Sequence, residues 1–158
     1  MCNNYITFVP MEKMKTLGDG TPISYTINVR GRLIDLGEPL VMGIMNVTPD
    51  SFYANSRVQT AEAIRQRAHQ IVAQGAKIID IGACSTRPGG VVVSAEEEMQ
   101  RLAFALPIVK EAEPDAILSI DTFHADIARR TIEEFGADII NDVEEGKDPE
   151  MFRTVAEL

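Results

Sequence analysis

The chain has 158 residues, 45% hydrophobic and 25% charged, the balance of a globular domain with its own core. A net charge of −9 argues against nucleic acid as a partner, and no run approaches the roughly 20 apolar residues that span a bilayer. The first ten residues lack the apolar core of a signal peptide, and Cys2 and Cys84 show neither metal-ligand nor redox spacing, so the cytoplasm is the expected compartment.

Residues 1–21 carry no pattern that places them. Residues 23–29 (ISYTINV) alternate, meet Arg30-Gly31, and resume as RLIDL, which predicts a β-hairpin. Gly37-Glu38-Pro39 breaks it, dividing an N-terminal segment (residues 1–38) from the rest (39–158). Residues 40–45 (LVMGIM) are a continuous apolar run, as in a strand buried on both faces. Ala61, Ile64, Ala68, Ile71 and Val72 then form a helical stripe that stops at Gly75. A second strand is predicted at residues 77–82 (KIIDIG). Ser94 and Glu97 have capping-box spacing and open a helix carrying Met99, Leu102, Leu106 and Val109, with a bend expected at Pro107.

The third strand is residues 116–121 (AILSID), followed by a stripe of Ile127, Ala128, Thr131, Ile132 and Phe135 closed by Gly136. The fourth is residues 138–141 (DIIN), and Asp148-Pro149 predicts an N-cap and first turn for a last helix. Gly75-Ala-Lys-Ile-Ile and Gly136-Ala-Asp-Ile-Ile echo each other, both leading from helix to strand. A hairpin followed by β-α-β-α-β-α-β-α implies an α/β fold with a parallel sheet. An open doubly wound sheet and a TIM-type (β/α) barrel both fit the spacing. No GxGxxG or P-loop follows the first of these strands, which removes the usual dinucleotide signature.

Barrel enzymes carry their working residues at strand C-termini. Those ends hold Asn46, then Asp80 leading into Ser85-Thr86-Arg87, then Asp121, then Asn141-Asp142. Four polar ends in phase point to a shared polar cavity. Residues 46–52 (NVTPDSF) have turn chemistry, which is the reading spacing alone favours, and also offer a neutral carboxamide oxygen to Mg²⁺ beside a phosphorylated ligand. Residues 84–90 (CSTRPGG) combine hydroxyls, one guanidinium fork and glycine amides, which suit phosphate oxygens. Asp80 and Asp121 interrupt apolar strands, so each requires a donor. A backbone or Ser/Thr group would serve a structural role; the N–H groups of a heterocycle would serve a binding one, with Asn141 completing it. His69 and His124 have no nearby partner in sequence, which predicts surface or cap roles.

Together LVMGIMNVTPDSF (40–52), DIGACSTRPGG (80–90), SIDT (119–122) and GADIINDV (136–143) resemble the dihydropteroate synthase family of pterin-binding barrels, from about Ile34 onward. The first two motifs are the most specific and disfavour a pterin-binding methyltransferase domain. The resemblance implies a transferase of folate biosynthesis, in which p-aminobenzoate displaces pyrophosphate from 6-hydroxymethyl-7,8-dihydropterin diphosphate to give 7,8-dihydropteroate. It assigns Asn46 to Mg²⁺, Asp80, Asp121 and Asn141 to the pterin, and Thr86 and Arg87 to the departing diphosphate. Phe52 and Pro88 would line the p-aminobenzoate pocket.

The chain also departs from that family. A complete barrel takes roughly 250 residues, whereas four βα units are legible here. The family's later half supplies a further Asp, a Lys and an Arg-x-His anion site. A non-catalytic fragment retaining part of the pterin site is therefore the alternative expectation, with self-association through open sheet edges. Ala54 stands where the family has a carboxylate, Cys84 where Glu is common, and residues 144–147 (EEGK) replace Ser-Gly-Gly.

Overall fold

The computed structural model describes residues 25–48, 61–84 and 93–158. Its first elements are β1 (Thr26–Val29) and β2 (Arg32–Asp35), which pair antiparallel as the expected hairpin. Arg30 and Gly31 both take positive φ, 52° and 73°, as a two-residue turn matched to strand twist requires.

A second sheet contains β3 (Met42–Asn46), β4 (Ile78–Gly82), β5 (Ile117–Asp121) and β6 (Ile139–Asn141), all parallel and in the order β3-β4-β5-β6. The helices alternate with them: α1 (Ala61–Ala73), α2 (Ala95–Ala112), α3 (Ala125–Phe135) and α4 (Met151–Glu157). Each strand thus lies beside its predecessor, always advancing in one direction. Right-handed crossovers that never reverse direction put every helix on the same face. A doubly wound sheet reverses at a switch point; among the described residues this one does not, which accords with part of a barrel.

Alternation within the strands divides the sheet. Met45, Ile79, Ile81, Leu118 and Ile120 point one way, into a core with Ile64, Ala68 and Ile71 of α1 and Met99, Leu102 and Leu106 of α2. Contact there is close at Gly43, where a Cβ would run into Ile71. The other face carries Ile44, Asn46, Asp80, Gly82, Ser119, Asp121 and Asn141, by the same period of two. Helix α2 runs unbroken through Pro107, so that proline does not end it.

The internal echo has a physical cause. Gly75 and Gly136 adopt φ of 99° and 65°, and the alanine after each is buried beneath its helix end. A left-handed residue reverses the chain and a small one lets it enter the sheet. Asp148, expected to cap the last helix, serves a second helix as well. Its Oδ2 accepts from Ala125 N at 2.9 Å, and its Oδ1 accepts from Glu150 N at 3.0 Å. It thus caps α3 from outside, while Glu150 occupies the N-cap position of α4. The local Asp-Pro signal accounts for the second of these bonds; the first is tertiary. No helix among the described residues is long and apolar enough to cross a membrane.

Candidate active site

Parallel register carries the strand ends to one level. Asn46 pairs with Gly82, Gly82 with Asp121, and Asp121 with Asn141, a single row across the C-terminal edge of the sheet. The ladder is extended past it by Val47 N–H to the Gly82 carbonyl at 2.8 Å and by Thr122 N–H to the Asn141 carbonyl at 3.2 Å. One level below, Asp80 sits opposite Ser119.

Asp80 is buried and doubly bonded: it accepts from the Ser119 hydroxyl at 2.6 Å and from Asn141 Nδ2 at 3.1 Å. The hydroxyl donor foreseen for a structural role is present. The Asn141 contact, spanning two strands, also fixes the amide's orientation, leaving its carbonyl oxygen as an acceptor. Ser119 was not anticipated as a site residue. Its signal lay in its place two residues before Asp121, on the same face.

Gly82 is the low point of the row. A Cβ there would meet Asn46 Oδ1 and Asp121 Oδ2, each at 3.3 Å. An amide oxygen and a carboxylate oxygen therefore converge over a residue without a side chain. Among the described residues Asp121 has no hydrogen-bonding partner, in contrast to Asp80. Burial, followed by the charges of Asp80, Glu98 and Asp142, raises its carboxyl to about 6. Such a group is ready to accept from an N–H-rich ring and stabilised by whatever positive charge arrives.

The loop after β6 follows directly on Asn141. Asp142 closes that loop by accepting from Glu144 N at 2.8 Å and Gly146 N at 2.7 Å, with Glu145 and Gly146 at positive φ. On the α2 side, Arg101 donates to the Ala83 carbonyl at 2.9 Å and pairs with Glu97 at 2.5 Å, fixing the exit of β4. Phe52, Ala54, Thr86, Arg87 and Pro88 lie outside the described residues.

Among the described residues no three His, Cys, Asp or Glu side chains gather as a metal site. The Asn46 amide oxygen is of the kind that a hard cation accompanying a phosphorylated ligand takes, since Mg²⁺ needs few protein oxygens and completes its shell from phosphate and water. The two histidines have separate fates. His69 Nδ1 meets Glu113 Oε1 at 2.6 Å on the surface, tying α1 to α2. His124 takes the N-cap position of α3 without a side-chain cap bond.

Residues 42–158 match the pterin binding enzyme family. A dihydropteroate synthase of Streptococcus pyogenes is 44% identical over 128 residues, covering 80% of this chain and 47% of the relative. The structure of the Xanthomonas albilineans dihydropteroate synthase with 4-aminobenzoic acid superposes with a TM-score of 0.73 at 36% identity, over 85% of this chain and 49% of that one. The Anaplasma phagocytophilum dihydropteroate synthase with bound 6-hydroxymethylpterin-monophosphate gives 0.64 at 36% identity, over 73% and 44%. The chain spans about half the length of the relatives it matches. With the motif row, the single winding of the sheet and these matches agreeing, the chain belongs to the family of pterin binding enzymes.

Proposed function

We propose that this chain forms the pterin-diphosphate side of a dihydropteroate synthase site, serving the condensation of p-aminobenzoate with 6-hydroxymethyl-7,8-dihydropterin diphosphate. The row Asn46–Gly82–Asp121–Asn141 over the bonded Asp80 carries this reading. Asp121 accepts from ring N–H groups, and the Asn141 carbonyl takes a further donor. Asp80 holds Asn141 in the one orientation that allows this. Asn46 is the protein's oxygen for Mg²⁺, which would neutralise diphosphate charge when bound. Thr86 and Arg87 receive the departing diphosphate, and Phe52 and Pro88 shape the p-aminobenzoate pocket.

The chemistry asked of these side chains is electrostatic. As the carbon–oxygen bond to the diphosphate loosens, positive charge grows on the pterin methylene. Asp80, buried, and Asp121, half-buried, then stand beneath it already oriented, so that charge is stabilised without reorganisation. The amine of p-aminobenzoate supplies the electron pair that forms the new carbon–nitrogen bond. A cytoplasmic setting agrees with Cys84, a free thiol among the described residues.

Titration calorimetry with the dihydropterin diphosphate, with and without Mg²⁺, tests the reading. Binding is expected, weakened at least about tenfold by chelation or by Asn46→Ala. Indifference to both would remove Asn46 from the cation site, and no binding at all would end the proposal. Turnover by the 158-residue chain alone should fall far below that of a full-length relative.

Self-association is a second consequence. Among the described residues β3 and β6 each have one unpaired edge, and Ile44 is 43% exposed on the face that bears Asn46. Light scattering should show concentration-dependent association; a monomer at every concentration contradicts it.

A further inference from the structure

Glu98 differs from the other acids at the start of α2. Glu96 accepts from Gln100 at 3.3 Å and Glu97 pairs with Arg101 at 2.5 Å, both toward solvent. Glu98 is 0% exposed, and neither of its oxygens has a hydrogen-bonding partner among the described residues. It lies on the inward stripe with Leu102, Ala105 and Val109. Capping does not account for it. The Ser94 hydroxyl accepts from Glu97 N–H at 3.2 Å and the Ser94 carbonyl from Glu98 N–H at 2.9 Å, so the helix start is closed by main chain and serine. A position that needed only packing would carry leucine.

What Glu98 faces is the span joining β5 to α3. His124 Nε2 stands 3.8 Å from its Oε2, and the Thr122 hydroxyl, His124 and, more weakly, Arg101 favour its charge. Burial outweighs all three, with Asp126 adding to it, and holds the carboxyl above its usual range. The span itself is tied at several points. Thr122 N–H donates to the Asn141 carbonyl, and His124 N–H donates to the Thr122 hydroxyl oxygen at 3.2 Å. The His124 ring rests on Phe123 with centroids 4.3 Å apart, and Ala125 N–H is held by Asp148. Asp121 is the residue immediately before it. Any rotation of Thr122 therefore moves Asp121 and the main chain of Asn141 together.

We propose that Glu98 is a positioning residue of the pterin site, acting through Thr122 and His124 to hold the span that keeps Asp121 level with Asn141. This rests on the pterin reading above. Glu98 touches no substrate. A carboxyl group in this place sets a polar, charge-bearing neighbour beside Thr122 and His124, which an aliphatic side chain of equal volume cannot do.

The test uses Glu98→Leu, Glu98→Gln and His124→Ala in the full chain, with three measurements: thermal midpoint, amide exchange at Thr122 and calorimetric affinity for 6-hydroxymethylpterin. In Glu98→Leu the midpoint should hold or rise, because a buried acid whose burial outweighs its contacts is gone. Exchange at Thr122 should nevertheless quicken by about tenfold as its local opening becomes easier, and pterin affinity should fall about tenfold. Glu98→Gln, which keeps shape and hydrogen-bonding capacity, should restore both to within about threefold. His124 is part-exposed, so its alanine variant should fold and show the same exchange, with no additional effect in the double variant.

The proposal is overturned if Glu98→Leu leaves Thr122 exchange and pterin affinity as in the native chain, or if Glu98→Gln fails to rescue. Should Glu98→Leu not fold, unchanged exchange in His124→Ala overturns it equally. A native chain that binds no pterin defeats the pterin reading, while exchange at Thr122 still decides the positioning role.

Discussion

The two ends of the parallel sheet each hold a conspicuous aspartate, and the two are treated in opposite ways. At the N-terminal end Asp138, with its side chain 3% exposed, accepts from Arg30 Nε at 2.6 Å, Arg30 Nη2 at 2.7 Å and Leu118 N at 2.9 Å. Arg30 reaches it from the hairpin turn, 108 residues away in sequence, and also touches the Ala116 carbonyl at 3.4 Å. At the C-terminal end Asp121 has no such partner, stands among other acids, and is pushed up to about 6. One carboxylate is fully answered by the fold; the other is left for something outside the described residues to answer. In barrel architecture the first end serves stability and the second serves chemistry, and here that division is visible in the hydrogen-bonding of a single residue type.

Exchanging the two charges should separate the two roles. The largest effect is expected from Asp121→Asn. Pterin affinity should fall about a thousandfold, near 4 kcal/mol, because an amide group now meets the ring donors. The same variant should melt higher than the native chain at neutral pH and no higher near pH 4.5, where Asp121 already carries its proton. A variant that loses both affinity and stability would place Asp121 with Asp138. Arg30→Ala comes next. It leaves a nearly buried carboxylate with only the Leu118 N–H, and denaturant titration should show a loss of about 2–3 kcal/mol, below the full cost of a broken buried pair because Arg30 is itself part-exposed. Pterin affinity of the folded protein should be unchanged.

This division was only half legible in the sequence. Apolar runs gave the strands, and glycine after each helical stripe gave the stops, because burial and left-handed backbone leave marks within a few residues. Polar strand ends gave Asn46, Asp80, Asp121 and Asn141. Register did not show, since which residue of β4 lies beside Ser119 depends on crossovers that bring distant segments level. Arg30 read as a hairpin turn and nothing more, its partner being far along the chain. Glu98 had a signal that went unread: spacing of four, seven and eleven to Leu102, Ala105 and Val109 puts it on the inward stripe, hidden within a run of three acids. Asp148 was half legible: its Asp-Pro context gives the local bond to Glu150 N–H, while its bond to Ala125 is tertiary.

Acidity offers a smaller but sharper contrast between the ends. A carboxyl raised in the folded state binds its proton more tightly there than in the unfolded chain. Its contribution is therefore best at low pH and is lost as pH rises toward about 6, after which stability is flat. Between about pH 4 and pH 6 the Asp121 contribution should decline by on the order of 1–2 kcal/mol, allowing for solvent screening at its part-exposed edge. Calorimetric melts of native chain and Asp121→Asn across that range give the difference directly. Ligand affinity should run the other way, falling on acidification below about 6 as the accepting carboxylate is lost. If both slopes vanish in Asp121→Asn, they belong to this group; if either persists, a neighbouring acid carries it.

The smallest effect separates Asp80 from both. It is buried like Asp138 yet sits in the functional row like Asp121, and Ser119 is what makes it resemble the former. Ser119→Ala removes one of two donors and leaves Asn141 Nδ2 to satisfy the carboxylate alone. The expected loss is about 1 kcal/mol, at the low end for a buried acceptor deprived of one partner. Its consequence for binding should be larger than for stability if Asn141 must turn to compensate, since the same amide would then present a displaced carbonyl to the pterin. Equal small losses in both would mean that Asp80 anchors the sheet and the orientation of Asn141 is set elsewhere. A loss confined to stability would move Asp80 to the structural side of the comparison and leave Asp121 and Asn141 as the chain's recognition pair.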